Sequence, residues 1–192
     1  GLRCATPGMT KEKMRILLTN DDGIEAEGLA CLERIARALT LSGSSSPRGD
    51  SPHEITPGSS SPHEIWVVAP ATEQSGKGRG ITLTEPLRVN QHGERRFSVT
   101  GTPTDCVVLA FSEILPGKPD LVLSGVNRGH NVGEDCSFSG TVAGALQGMA
   151  LGVRSIALSQ SLTRYHDEVQ ASWDTAETFA PGIMARLRRA NP

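Results

Sequence analysis

Two adjacent carboxylates, Asp21 and Asp22, stand directly behind the apolar run Ile16-Leu17-Leu18 and directly before Gly23. Neighbouring side chains on a regular strand point to opposite faces, so the two acids can share one ligand only where the chain turns, and a glycine permits that turn. At an effective dielectric of 20, two carboxylates about 4 Å apart repel by roughly 4 kcal/mol, so a divalent cation or a shared proton would relieve them. The plainer reading of Asn20-Asp21-Asp22-Gly23 is a turn followed by a helix cap. Three further stretches carry groups suited to anions. Glu73-Gln74-Ser75-Gly76-Lys77-Gly78-Arg79-Gly80 sets glycines among two cations, so backbone N–H groups could approach a phosphate with Lys77 or Arg79 adding charge; the alternative is a merely flexible loop. Gly125 to Gly133 again gathers glycines and amides. Ser139 and Thr141 lie at the start of a helical stretch, where the dipole favours phosphate and ordinary capping is an equal alternative.

The elements that must position these residues read as strands and helices in alternation. Ile16 to Leu18, Ile65-Trp66-Val67-Val68-Ala69 and the Leu121-Val122-Leu123 centre of a strand over Asp120 to Ser124 are apolar runs of the kind buried on both faces of a parallel sheet, and in such sheets ligands gather beyond the carboxyl ends of strands. All three chemistry-bearing turns follow such a run. Helical periodicity predicts a helix over 25–39, where Cys31 joins the packing, one from Pro103 to about Leu115 with Thr102 as its N-cap, one over 142–151, and one from Trp173 to Leu187 kinked at Pro181-Gly182. Arg186, Arg188 and Arg189 read as a solvated face of that last helix. Short strands flank the Gln91-His92-Gly93 turn, with His92 at the surface, and 153–159 forms a further strand.

Composition narrows the function. With 19 basic and 21 acidic residues the net charge is -2, which disfavours a partner held by its phosphate backbone, so no nucleic acid polymer is expected. Cys4, Cys31, Cys106 and Cys136 form no C-x-x-C pair and suggest neither a disulfide framework nor a zinc site, fitting a reducing cytoplasm. No apolar run reaches the ~20 residues of a membrane span, so no membrane partner is expected. Residues 1–13 read as an extension or tag before Met14, and 14–192 as one domain. Residues 42–62 form a Ser/Pro/Gly-rich stretch predicted to be a mobile loop, containing Ser-Pro-His-Glu-Ile at 51–55 and 61–65 and Gly-Ser-Ser-Ser-Pro at 43–47 and 58–62. His53 and His63 read there as solvated loop histidines rather than a metal pair, and Arg48-Gly49-Asp50 as a chance tripeptide.

Five pieces in order, Leu17 to Gly23, Val68-Ala69-Pro70 with Gln74-Ser75-Gly76, Gly101-Thr102-Pro103-Thr104-Asp105-Cys106-Val107, Ser124 to Gly129, and Ser139-Gly140-Thr141-Val142-Ala143, resemble the SurE survival-protein nucleotidases. The resemblance implies an α/β, Rossmann-like three-layer sandwich with a mainly parallel sheet and a divalent ion, magnesium or manganese, held by Asp21, Asp22, Ser75 and Asn127. That oxygen set suits a hard cation. It further implies that Asn131 and the Ser139-Gly140-Thr141 turn face a phosphate, that Asp21 and Asn131 take part in hydrolysis of nucleoside 5′- and possibly 3′-monophosphates, and that the protein is a homodimer or homotetramer. It places further strands and an assembly arm of the family fold outside this chain. Gly80 stands where serine is common, and the 42–62 stretch is longer than usual. A haloacid-dehalogenase-like phosphatase is the rival enzyme, but that chemistry uses Asp-x-Asp. A metal-dependent nucleotide-binding module without activity is the non-enzymatic alternative.

Overall fold

The computed structural model describes residues 13–39, 63–165, 168–170 and 172–190. The elements run β1 (Arg15–Thr19), α1 (Glu27–Ala38), β2 (Glu64–Pro70), β3 (Val89–Gly93), β4 (Arg96–Val99), α2 (Pro103–Leu109), β5 (Leu121–Arg128), α3 (Gly140–Ala150), β6 (Ser155–Gln160), β7 (Thr163–Tyr165), β8 (Glu168–Gln170) and α4 (Asp174–Ala190). Alternation along β1 creates the layers. Ile16 and Leu18 point to one face and Leu17 and Thr19 to the other, all fully buried. β1 therefore lies inside the sheet, whose order is β3-β4-β2-β1-β5-β6, parallel throughout except for the β3–β4 hairpin. β7 and β8 form a separate hairpin.

On the Ile16 and Leu18 side, α1 contributes Leu29, Leu32 and Ile35 and α4 contributes Ala180 and Met184 to one core. Each large side chain so buried stabilises the fold by about 2 kcal/mol relative to exposure. On the Leu17 side, Cys106 and Val107 of α2 pack with Val68, Val99 and Val122. α3 shares that face and lies close to the sheet because it carries glycines: a Cβ on Gly144 would sit 2.8 Å from Ser124 Oγ and 2.9 Å from Thr19 Cγ2. The result is the three-layer α/β sandwich expected from the sequence.

α2 starts where the sequence predicts. Thr102 accepts from Asp105 N, Asp105 accepts in return from Thr102 N at 2.9 Å, and Pro103 occupies the first turn. The predicted single helix changes pitch, becoming a π turn over Ala110–Ile114. α4 continues as a helix through Pro181. Exposed His92 lies within β3 and its Nε2 is 2.8 Å from Ser98 Oγ.

Further expectations need correction, among them the turn at Gln91-His92-Gly93, which lies within β3. β5 extends through Arg128, four residues beyond the predicted strand end at Ser124, so Asn127 is a strand residue and not a loop residue. Glycine and asparagine are poor strand formers, but β6 supplies partners: the ladder slips between Ser124 and Asn127, then pairs Asn127 with Ser159 and Arg128 with Gln160. His63 is not solvated; it is 4% exposed, its Nε2 donates to Leu39 O at 2.6 Å, and its Nδ1 accepts from Met14 N at 3.4 Å. It belongs to the approach to β2 rather than to the loop whose composition it shares. His53, Cys4, Arg48-Gly49-Asp50 and all of the 42–62 stretch lie outside the described residues, as do the side chains of Arg188 and Arg189.

Candidate active site

Four segments meet at the carboxyl edge of the sheet. At the end of β1, Asn20 Nδ2 donates to Gly23 O at 2.9 Å and Gly23 adopts φ +104°, closing the turn the sequence suggested. This turn lets Asp21 and Asp22 border the same space despite adjacent positions. After β2, Gln74 N donates to Asp21 O at 2.7 Å and Ile24 N to Pro70 O at 2.8 Å, joining the second turn to the first. Ser75 is exposed and its hydroxyl donates to Glu73 Oε1 at 2.8 Å. At the end of β5, Asn127 Nδ2 donates to Gly129 O at 3.0 Å, and farther on Asn131 Nδ2 donates to Ser159 Oγ at 2.8 Å.

The fourth segment is the start of α3. Ser139 caps the helix, its Oγ accepting from Val142 N at 3.1 Å. Thr141 is fully buried and its hydroxyl donates to Asp21 Oδ1 at 2.5 Å. Between them, Gly140 presses on the acid: a Cβ there would lie 2.6 Å from Asp21 Cβ and 2.8 Å from Oδ2. Asp21 thus sits against the positive end of α3, in contact that only glycine allows.

Asp21, Asp22, Ser75, Asn127, Asn131, Ser139 and Gly140 all line one cavity of about 900 Å³. Thr141 does not; its side chain turns inward to hold Asp21, contrary to its expected place at the phosphate. Lys77 and Arg79 are exposed but do not line the cavity either, so the cations of the glycine-rich loop face elsewhere. Glu27, Glu73, Arg128, His130, Asp135, Phe138 and Trp173 complete the polar and aromatic wall, and sequence reasoning gave none of them a role. Glu73 carried a usable signal, a third acid soon after a parallel strand.

The Gly101 to Asp105 stretch serves the site from behind. Thr102 Oγ1 donates to Gly80 O at 2.6 Å, and Thr82 donates to Asp105 through N at 3.0 Å and Oγ1 at 2.7 Å. The buried start of α2 therefore anchors the far side of the loop that carries Ser75.

Electrostatics mark the site as short of positive charge. Burial is the main reason Asp21's carboxyl is pushed above its ordinary range; Glu73 adds to this, while the bond from Thr141 opposes it. Asp22 is also raised, first by burial and then by Asp21 and Glu73, against the backbone N–H and charge of Arg128. A carboxylate that resists ionising beside two others is what a divalent cation would correct. Among the described residues no three His, Cys, Asp or Glu side chains gather as a metal cage. The candidate donors are two carboxylates, one hydroxyl and one amide, all oxygen, which suits a hard ion that retains water. Asn127 fits that role because its amide nitrogen is committed to Gly129 O, leaving Oδ1 as the acceptor.

Comparison with known proteins gives a consistent result. The family model described as survival protein SurE matches residues 53–191. The chain is 56% identical over 175 residues to 5′-nucleotidase SurE of Caulobacter sp. (strain K31), covering 91% of this chain and 57% of that protein. It is 51% identical over 177 residues to 5′-nucleotidase SurE of Brucella anthropi, covering 92% and 60%. The solved SurE protein from Aquifex aeolicus superposes with a TM-score of 0.70 at 34% identity, over 90% of this chain and 59% of that one. The chain thus spans less than two thirds of the length of these relatives.

Proposed function

The chain belongs to the SurE family, and from that premise we propose that it is a divalent-metal-dependent phosphatase releasing phosphate from nucleoside monophosphates. One observation carries the reading: acids, hydroxyl and amide from the ends of β1, β2 and β5 line a single cavity together with the start of α3. Three neighbouring acids would repel a phosphate dianion unless a cation stood between them.

In this reading Asp21, Asp22, Ser75 and Asn127 hold magnesium or manganese. When bound, the ion would supply charge neutralisation at phosphoryl oxygens and a more acidic water. Asp21 is fixed by Thr141 and by Gly140, leaving its carboxylate to orient the attacking water and accept its proton. The first N–H groups of α3 have no carbonyl partner within the helix and point toward the phosphate. One hydrogen of the Asn131 amide is used by Ser159; the other donates to a phosphoryl oxygen as charge develops there. Ser139's hydroxyl oxygen remains a helix cap, so that residue acts on phosphate through backbone rather than side chain.

The 5′ position is the first expectation, since the relatives bear that name, with 3′ activity a secondary one. Cytoplasmic location and a homodimer or homotetramer are part of the same proposal; light scattering reads the latter. No helix among the described residues is long and apolar enough to cross a membrane. Phosphate release from nucleoside monophosphates with magnesium, manganese or chelator is the direct test. Asp21→Ala and Asn127→Ala should each lower metal-dependent turnover by about 100-fold or more. Undiminished turnover in both variants would remove the assignment, and saturable nucleotide binding without release would favour a binding module.

A further inference from the structure

The proposed chemistry uses the acids, the amides and the start of α3, but leaves one conspicuous wall residue without a task. Phe138 is 71% exposed. Single exposed apolar residues are normal on a protein surface. Leu83, Val132 and Ile81 are such residues here, and none of them lines the cavity. Phe138 does.

Its backbone is held from both sides. Phe138 N donates to Asp135 O at 3.0 Å, and the next residue is the N-cap of α3, bonded to Val142 N. A fixed backbone with a bare ring forgoes about 2 kcal/mol of burial while the ring stays in water, and recovers it when a flat apolar partner covers the face. Two residues later comes Gly140, in the turn assigned above to phosphate. Trp173 is the cavity's other aromatic residue, but its ring packs against α1. It is half-buried against the α1 and α4 core, its Nε1 donates to Glu27 Oε2 at 3.4 Å, and its Cη2 would be 3.1 Å from a Cβ on Gly28. Its ring is already used.

We propose that Phe138 is the platform on which the base of a nucleotide stacks while its phosphate occupies the turn at Gly140. This rests on the nucleotidase reading and deepens it by naming what distinguishes a nucleotide from a bare sugar phosphate. Every base has a π-face, so such a platform favours nucleotides as a class without choosing among bases.

The test compares AMP with ribose 5-phosphate, which lacks the base, by calorimetric binding in the presence of magnesium and by steady-state hydrolysis. Wild-type protein should prefer AMP. Phe138→Ala should weaken AMP binding and raise its KM by about tenfold, the low end of what a base–aromatic stack contributes, with kcat nearly unchanged. Ribose 5-phosphate should be unaffected, and Phe138→Tyr and Phe138→Trp should retain the preference. Equal weakening of both ligands in Phe138→Ala, or loss of the preference in Trp173→Ala but not in Phe138→Ala, overturns the proposal. A preference for AMP in binding that Phe138→Ala abolishes, with no phosphate released from either compound, would leave the platform standing and remove the hydrolase reading.

Discussion

Strand β1 ends in two opposite electrostatic environments. At its amino end the polar groups are paired: Arg15 Nε and Nη2 donate to Glu64 at 3.1 and 3.3 Å, Arg15 N donates to Asp120 Oδ2 at 2.8 Å, and His63 bridges Met14 and Leu39. At its carboxyl end Asp21 and Asp22 crowd each other and Glu73, and buried Thr19 Oγ1 and Asn20 Oδ1 lack a hydrogen-bond partner. The same contrast appears in proton affinity, with Glu64 held below its ordinary range and both aspartates pushed above theirs. A short strand thus carries stabilising pairs at one end and unrelieved charge at the other. Strain retained in a fold at a cavity wall is a mark of use rather than of poor design.

The largest test of this contrast is Gly140→Ala. The added methyl would overlap Asp21, and neither the first turn of α3 nor a buried acid held by Thr141 can retreat freely. Displacing Asp21 by about 1 Å should cost about 100-fold in phosphate release, with only about 1–3 kcal/mol of stability lost to overpacking. Steady-state rates set beside urea unfolding check this; a variant that unfolds readily yet keeps its specific activity would show that the contact is merely structural.

Asp105 sharpens the comparison because it is a paired acid close to the crowded end. It accepts from Thr82 N, Thr82 Oγ1 and Thr102 N while being 3% exposed. Asp105→Ala would strand two backbone donors and remove half of a capping box, an expected loss of about 3 kcal/mol. Activity should fall about tenfold in the folded fraction, less than for Gly140→Ala, because the loop bearing Ser75 loses an anchor rather than a ligand. Kinetics below the unfolding transition, with the folded fraction measured by circular dichroism, separate the two effects.

Asp22→Asn should move stability and activity in opposite directions. It removes one of three neighbouring negative charges, so in chelator the thermal midpoint should rise by about 2–4 °C, the effect of ~1 kcal/mol on a domain of this size. Metal-dependent turnover should fall sharply. A lower midpoint in chelator would mean that Asp22 is a stabilising partner of the Arg128 backbone and that the carboxyl end is not under charge strain.

What the sequence disclosed follows the range of the interactions involved. Ile16 to Gly23 could be read because an apolar run, two acids and a turn glycine are local, and the helix start at Thr102 because a cap residue and the proline after it are adjacent. The roles of Arg128, Phe138 and Trp173 were hidden, since they depend on which strand ends are neighbours and on how α3 and α4 dock. Thr141 was misplaced for a related reason: a hydroxyl in a helix's first turn can face ligand or interior, and the close seating of α3 on Asp21 decides. His63 was misread from the composition of the repeat around it, whereas the carbonyl of Leu39 and the amide of Met14 define its surroundings. The extension of β5 through Gly125 and Asn127 depends on β6, more than 25 residues later in the chain.

The smallest prediction concerns the matched end. Glu64 and Arg15 side chains are 18% and 23% exposed, and Trp66 Nε1 also donates to Glu64 at 2.8 Å. The bond from Arg15 is the main reason Glu64 holds its proton less firmly than a free side chain, outweighing the opposing effect of burial. A carboxyl whose folded pKa is depressed stabilises the protein above its unfolded pKa, and that contribution is lost as pH falls through the folded value. Glu64→Gln should therefore lower stability by no more than about 1 kcal/mol near neutral pH, as expected for a partly exposed pair. The gap between variant and wild type should close at an acidic pH below the depressed folded pKa of Glu64, where the wild-type carboxyl is also neutral. Urea midpoints at both pH values measure it, with phosphate release unchanged at neutral pH. A gap that stays constant across this range would assign the loss to packing around Trp66 rather than to charge, and the amino end of β1 would then owe its stability to shape.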